Sequence, residues 1–195
     1  MTTEEREAGR RSHAPSGRAR RPGKGIVTGI QLAIALVLLA AVGQGLWSAN
    51  RNASGDEHAQ HEVPGLPKDL GGLKLLGGVT GQEAIQSVDM LHGLQVEMTD
   101  ARIGEYENNT TVWVGIARDA EQAATLVDRM TKQILAGSPA FSHVGEQQVA
   151  GLTVHQVQGG GQTHFYYQKG IEVIWVAAPP GAGGQFVSQA VQTIP

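Results

Sequence analysis

The chain has 195 residues, no cysteine and a formal net charge of -3. The absence of cysteine excludes disulfides, thiolate zinc sites and cysteine nucleophiles. The charge is unevenly distributed, because residues 1–25 hold seven basic and three acidic residues, whereas residues 49–195 hold eight basic and 15 acidic residues. An acidic region without a basic stripe argues against nucleic acid as a partner.

Residues 26–48 form an uncharged segment of 23 residues directly after the basic tail. A helix of this length rises about 34 Å, enough to cross a hydrocarbon core of about 30 Å. Basic residues that flank a span stay in the cytoplasm, so the tail 1–25 is predicted to be cytoplasmic and disordered. The pattern predicts a single-pass protein of a bacterial plasma membrane, with the lipid bilayer as the partner of residues 26–48.

A cleaved signal peptide is the alternative interpretation of this segment. The apolar run is longer than in a typical signal peptide, and cleavage after Ala49 would place the bulky Trp47 where a small residue is required. An uncleaved anchor is therefore favoured, and cleavage stays open. Gly29 and Ala33 have the spacing that lets membrane helices approach closely, which allows a weak homodimer through the span.

Residues 49–67 are polar, contain Pro and Gly and lack an apolar period. They are predicted to be a flexible linker before one extracytoplasmic domain at residues 68–195. That domain begins with a predicted helix at 81–92, which has apolar residues at helical spacing. Residues 101–107 and 110–117 are predicted to pair as a hairpin, because Asn108 and Asn109 tolerate the positive φ of a tight turn.

The second half of the domain is predicted to be a helix followed by a meander. Asp119 is predicted to cap a helix that stops at Gly137. Three strand-like runs follow, with an apolar run at 147–150 as a further edge strand, and a short helix ends the chain; the three runs are 151–158, 162–168 and 171–178. The order helix, hairpin, helix, meander, helix predicts an α+β fold, with an antiparallel sheet and about three helices on one face.

Histidines suggest one alternative function for the domain. His92, His155 and His164, with Met90 and Met98 near His92 in sequence, would suit a copper or zinc carrier or sensor. Whether His155 and His164 share a sheet face depends on the Gly-rich turn between their strands. A loop of three residues places them on opposite faces, whereas a loop of two or four places them on the same face. No cofactor is predicted.

Aromatic residues concentrate in the predicted strands. Trp113, Tyr166 and Trp175 are predicted to line a face that binds an envelope protein partner. If residues 68–79, which contain several leucines, cover that face, the same side chains become core.

Catalytic motifs are absent from the sequence, since neither GxSxG, SxxK nor HExxH occurs. The sequence therefore predicts a membrane-anchored, extracytoplasmic binding or accessory module without catalytic activity. The alternatives are the metal carrier or sensor and, from a third class, an envelope hydrolase with an unfamiliar site.

Overall fold

A computed structural model of the chain describes residues 62–92, 96–178, 181–182 and 184–194. The predicted tail 1–25, the predicted span 26–48 and residues 49–61 of the predicted linker lie outside the described residues. Among the residues that are described, no helix has both the length and the apolar character required to cross a membrane.

The described residues form eight strands and three helices. In chain order these are β1 (Asp69–Leu70), β2 (Leu73–Thr80), α1 (Gly81–His92), β3 (Asp100–Tyr106), β4 (Thr110–Ile116), α2 (Ala120–Leu135), β5 (Ser142–Val149), β6 (Leu152–Gly159), β7 (Gln162–Lys169), β8 (Glu172–Ala178) and α3 (Gly184–Thr193). The strands make one antiparallel sheet in the order β1-β2-β3-β4-β8-β7-β6-β5. The α+β class, the antiparallel sheet and the three helices are confirmed.

Three strands were not recognised in full from the sequence. β1 and β2 were absent from the predicted order, and only the end of β5 was included, in the run 147–150. β2 contains Gly77 and Gly78, and β5 consists mostly of polar residues. Neither strand shows the regular apolar alternation on which strand prediction depends.

Local signals explain the elements that were predicted. Asn108 and Asn109 have φ values of 57° and 56° in the hairpin turn, where the three residues 107–109 separate the paired residues Tyr106 and Thr110. Asp119 caps α2, because its Oδ1 accepts a hydrogen bond of 2.7 Å from the backbone N–H of Gln122. That bond and the adjacent Arg118 guanidinium hold the pKa of Asp119 below its ordinary value.

Helices cover both faces of the sheet rather than one. On the first face, α3 packs its Val187 and Val191 into the larger core cluster with alternate strand residues such as Val114. On the second face, Ile134 of α2 packs in a separate cluster with Trp175. Neighbouring residues along a strand point to opposite faces, so these two clusters lie on opposite sides. We call the two sides the α3 face and the α2 face.

The folded domain begins before residue 68. Val63 and Leu66, which fall in the predicted linker, are 3% and 8% exposed and belong to the core on the α3 face. Leu66 Cδ1 approaches Gly104 of β3 so closely that a side chain at that position would collide with it. Residues 63–66 therefore contribute packing to the domain.

The sheet is strongly curled around the α3 face. α3 contacts both β1 and β5, the two outermost strands. In a flat sheet of eight strands those edges would be about 34 Å apart, whereas a ten-residue helix is only about 15 Å long. The curl brings the two edges near one helix.

Candidate functional site

A two-residue turn places His155 and His164 on the same face of the sheet. Gly159 pairs with Gln162, so the turn consists of Gly160 and Gly161, with φ values of 57° and 78°. The geometry is the two-residue alternative of the sequence analysis. In this register His155 lies opposite Tyr166, and both histidines point to the α2 face.

Four aromatic rings lie in one row across the α2 face. His155 on β6, Tyr166 on β7, Trp175 on β8 and Trp113 on β4 are successive cross-strand partners. The His155 and Tyr166 rings stack with centroids 4.7 Å apart, and the Tyr166 and Trp175 rings stack at 5.1 Å. We call these four residues the aromatic row. It unites the three predicted partner-binding residues with one predicted metal ligand.

α2 covers the aromatic row. Thr131 of α2 shares a hydrogen bond of 3.0 Å with the Tyr166 hydroxyl, and Tyr166 is fully buried while Trp175 is 9% exposed. Trp113 is half-buried beside the same helix. The cover is therefore α2 and not residues 68–79, which form β1 and β2. The assignment of Trp113, Tyr166 and Trp175 to partner binding stays a prediction, and most of this row is packed as core.

The row ends at the sheet edge in an acid and a histidine. Glu146 on the outermost strand β5 is the cross-strand partner of His155, and its Oε1 lies 3.0 Å from the His155 Nδ1. The Nδ1 atom is buried, and the contact lacks the alignment of a hydrogen bond. The Glu146 side chain is 49% exposed, whereas the His155 side chain is 11% exposed.

His164 is a polar residue that packs among the mainly apolar side chains of the cluster on the α2 face. Its Nδ1 accepts a hydrogen bond of 3.0 Å from Trp175 Nε1, and its Nε2 lies 3.0 Å from the carbonyl oxygen of Gly159. The Phe141 ring packs edge-on against His164 with centroids 4.9 Å apart. Burial lowers the pKa of His164 from its ordinary value, although the bond with the Gly159 carbonyl acts in the opposite direction.

The three predicted metal ligands do not come together. His92 ends α1, which packs on β2 and β3, and its Nδ1 lies 2.8 Å from the carbonyl oxygen of Val88. β3 is three strand positions from β7, a separation of about 14 Å. In the described part of the chain no group of three His, Asp or Glu side chains is arranged to hold a metal ion.

Comparison of the chain with protein-family models, curated proteins and solved structures finds no match. Functional assignment therefore rests on the geometry of the described residues.

A second buried polar group lies on the α3 face. Arg102 Nη1 is 3.2 Å from Glu172 Oε1, with side chains that are 20% and 13% exposed. The other Glu172 oxygen and the Tyr167 hydroxyl are buried and have no hydrogen-bond partner among the described residues. Burial and the nearby Glu172 raise the pKa of Tyr167, so the phenol stays protonated. This group places a largely buried ion pair on the α3 face.

Two residues of the candidate site were not singled out from the sequence. Glu146 lies in the part of β5 that was not predicted, and only the strand register places it beside His155. Phe141 lies between α2 and β5 and is 5% exposed. The sequence indicates Phe141 only as an aromatic residue soon after the end of a helix. The contact of Phe141 with His164 depends on tertiary packing.

Proposed function

We propose that this chain is a membrane-anchored, extracytoplasmic binding module without catalytic activity, which takes up an extended segment of an envelope protein along the outer edge of β5. The observation that carries this proposal is the position of β5. It is an eight-residue strand at the end of the sheet, with hydrogen-bonded neighbours on one side only.

Among the described residues no strand pairs with the outer side of β5, although α2 and α3 both contact this strand. An outermost strand directs backbone N–H and C=O groups away from the sheet, and an extended peptide can pair with them. Five of the first seven side chains of β5 are exposed, including Val144 at 52%. β1 at the opposite edge has only two residues. Of these two edges, β5 is therefore the one that can pair with a partner strand of more than two residues.

The chemistry of β5 defines the partner that fits it. The strand contains no Lys, Arg or Pro, which are the residues that commonly block edge pairing. Its acidic residue is Glu146, half exposed, in a domain region that is itself acidic. A bulge between His143 and Gly145 interrupts the flat edge and restricts indiscriminate pairing. The matching partner is an extended segment with a basic residue opposite Glu146.

Location at the outer face of a membrane is supported by residues 26–48 and the basic tail. The absence of native cysteine permits a direct test, since single cysteines can be introduced without background labelling. We expect a membrane-impermeant maleimide to label Ser142→Cys in intact cells and Ser12→Cys only after permeabilisation. The reverse pattern would exclude the proposed orientation.

Photo-crosslinking tests the edge. A photoreactive residue at Val144 of the full chain should yield one defined crosslinked envelope protein, whereas the same residue at Ile171, which is 45% exposed in the β7–β8 turn, should not. A synthetic peptide covering the crosslinked segment should then slow amide exchange in β5. Binding of that peptide with no change in β5 exchange would refute strand addition.

A further inference from the structure

The hydrogen bonds of His164 define which nitrogen carries its proton. The indole N–H of Trp175 is a donor only, so the His164 Nδ1 that receives it must present a lone pair. The proton of the neutral ring is then on Nε2, from which it donates to the carbonyl oxygen of Gly159. Both bonds exist together only while the imidazole is neutral.

The His164 ring also contacts the segment that leads into β5. Phe141 packs edge-on against both His164 and Trp175, with centroid distances of 4.9 and 5.2 Å. Ser138 Oγ accepts hydrogen bonds from the backbone N–H groups of Ala140 and Phe141. We call residues 136–141, which join α2 to β5, the connector. Gly159 allows the connector to pack closely on β6, because a side chain at position 159 would collide with the Ala140 carbonyl and the Phe141 ring. Residues 136–141 are therefore fastened to the sheet through the group around His164.

The described side chains that pack around His164 carry no negative charge that would compensate for a second proton on the ring. From α2 the neighbouring cluster receives apolar side chains such as Ile134 and Met130. On β6, Val157 is opposite His164, and beyond it on β5 lies the exposed His143. Glu146, the acidic residue of β5 on this face, lies against His155.

We propose that His164, Trp175 and Phe141 form an acid-sensitive latch, in which protonation of His164 Nδ1 sets two N–H groups against each other and releases residues 136–141 and the first residues of β5. The proton comes from solvent, and the broken contact is the hydrogen bond from Trp175. The lowered pKa of His164 is consistent with this latch, because the buried ring resists a second proton. The latch does not depend on the proposed binding function, although release of β5 would alter the same edge.

The first test is a direct measurement of the tautomer in the full chain. Nitrogen chemical shifts of the imidazole should show the proton of His164 on Nε2 at pH 8. A proton on Nδ1 at that pH would overturn the proposal without any variant. On acidification, the indole N–H signal of Trp175 should shift with the midpoint at which His164 titrates, and an indole signal unchanged through that titration would also refute it.

Amide exchange measures the release. Once His164 is protonated, amide exchange at Phe141 and residues 142–143 should rise by at least about tenfold relative to the β3–β4 hairpin. Equal acceleration in both regions would indicate global unfolding and contradict a latch. His164→Gln, whose amide supplies one acceptor and one donor but does not titrate, should abolish the local transition. His143→Gln and His155→Gln remove nearby imidazoles and should preserve it; loss of the transition in both would assign it elsewhere.

Discussion

Trp175 Nε1 donates a hydrogen bond of 3.0 Å to His164 Nδ1, and this bond joins neighbouring strands inside the core of the α2 face. A donor-only indole is thereby satisfied by a histidine that is itself 4% exposed. The pair explains why two polar aromatic side chains are tolerated under α2, since each buried ring N–H has an acceptor. It also makes the stability of the domain sensitive to protons.

Stability is expected to fall on acidification through His164. Its folded-state pKa is lowered by burial, so between that value and about 6.5 the unfolded chain binds a proton that the folded chain does not. Above about pH 6.5 neither state is protonated and the residue has no effect on the pH dependence. In the affected range the free energy of unfolding should fall by up to about 1.4 kcal/mol per pH unit.

Urea denaturation of the full chain between pH 8 and pH 5 checks this pH dependence. His164→Gln should flatten the slope below pH 6.5, and the exposed His143 provides the control through His143→Gln. An unchanged slope in His164→Gln would assign the pH dependence to other groups.

Gly159→Ala is expected to destabilise the domain by about 1–3 kcal/mol through overpacking. A Cβ at this position would lie 2.4 Å from both the Ala140 carbonyl oxygen and the Phe141 ring. Gly145→Ala is the matched control, because a Cβ there meets no atom within 4 Å. Chemical denaturation measures the free energy of unfolding of both variants. Equal values would show that residues 136–141 shift to accommodate the added methyl group without loss of stability.

Ala150→Gly is expected to stabilise the domain by about 1 kcal/mol. Ala150 has a φ of 50° in the turn between β5 and β6, a left-handed conformation that costs an L-residue with a side chain roughly 1–2 kcal/mol. Part of that gain is offset by the larger backbone entropy of glycine in the unfolded chain. The melting temperature should rise relative to wild type, and a decrease would mean that the turn is not strained.

Glu172→Gln is expected to destabilise the domain by about 1–3 kcal/mol, because it leaves the half-buried Arg102 guanidinium without a charged partner. Arg102→Met should also be destabilising, since it leaves the carboxylate unpaired. The double variant should lose less than the sum of the two single variants. A double-mutant cycle with strictly additive losses would show that the two charges do not interact in the folded state.

Elements with strong local signals were predictable, and pairings between distant segments were not. The β3–β4 hairpin was predicted from the Asn108-Asn109 turn, and α2 from the cap at Asp119, because both depend on residues within a few positions of each other. β2 and β5 were missed in whole or in part because Gly77, Gly78 and the polar residues of β5 gain strand structure from their sheet neighbours. The positions of the helices on both faces of the sheet also could not be predicted from local sequence patterns.

The sequence by itself determined the absence of cysteine chemistry, the uneven charge, the α+β class and most of the helices and hairpins, since composition, hydrophobic period and turn residues are local properties. Only the tertiary structure decided that Gly160 and Gly161 alone make the β6–β7 turn, which brings His155 and His164 to one face. It also decided that α2 covers Tyr166 and Trp175, and that Glu146 meets His155. The hydrogen bond between Thr131 and Tyr166 joins residues 35 positions apart, and long-range packing selects such contacts among several locally equivalent registers.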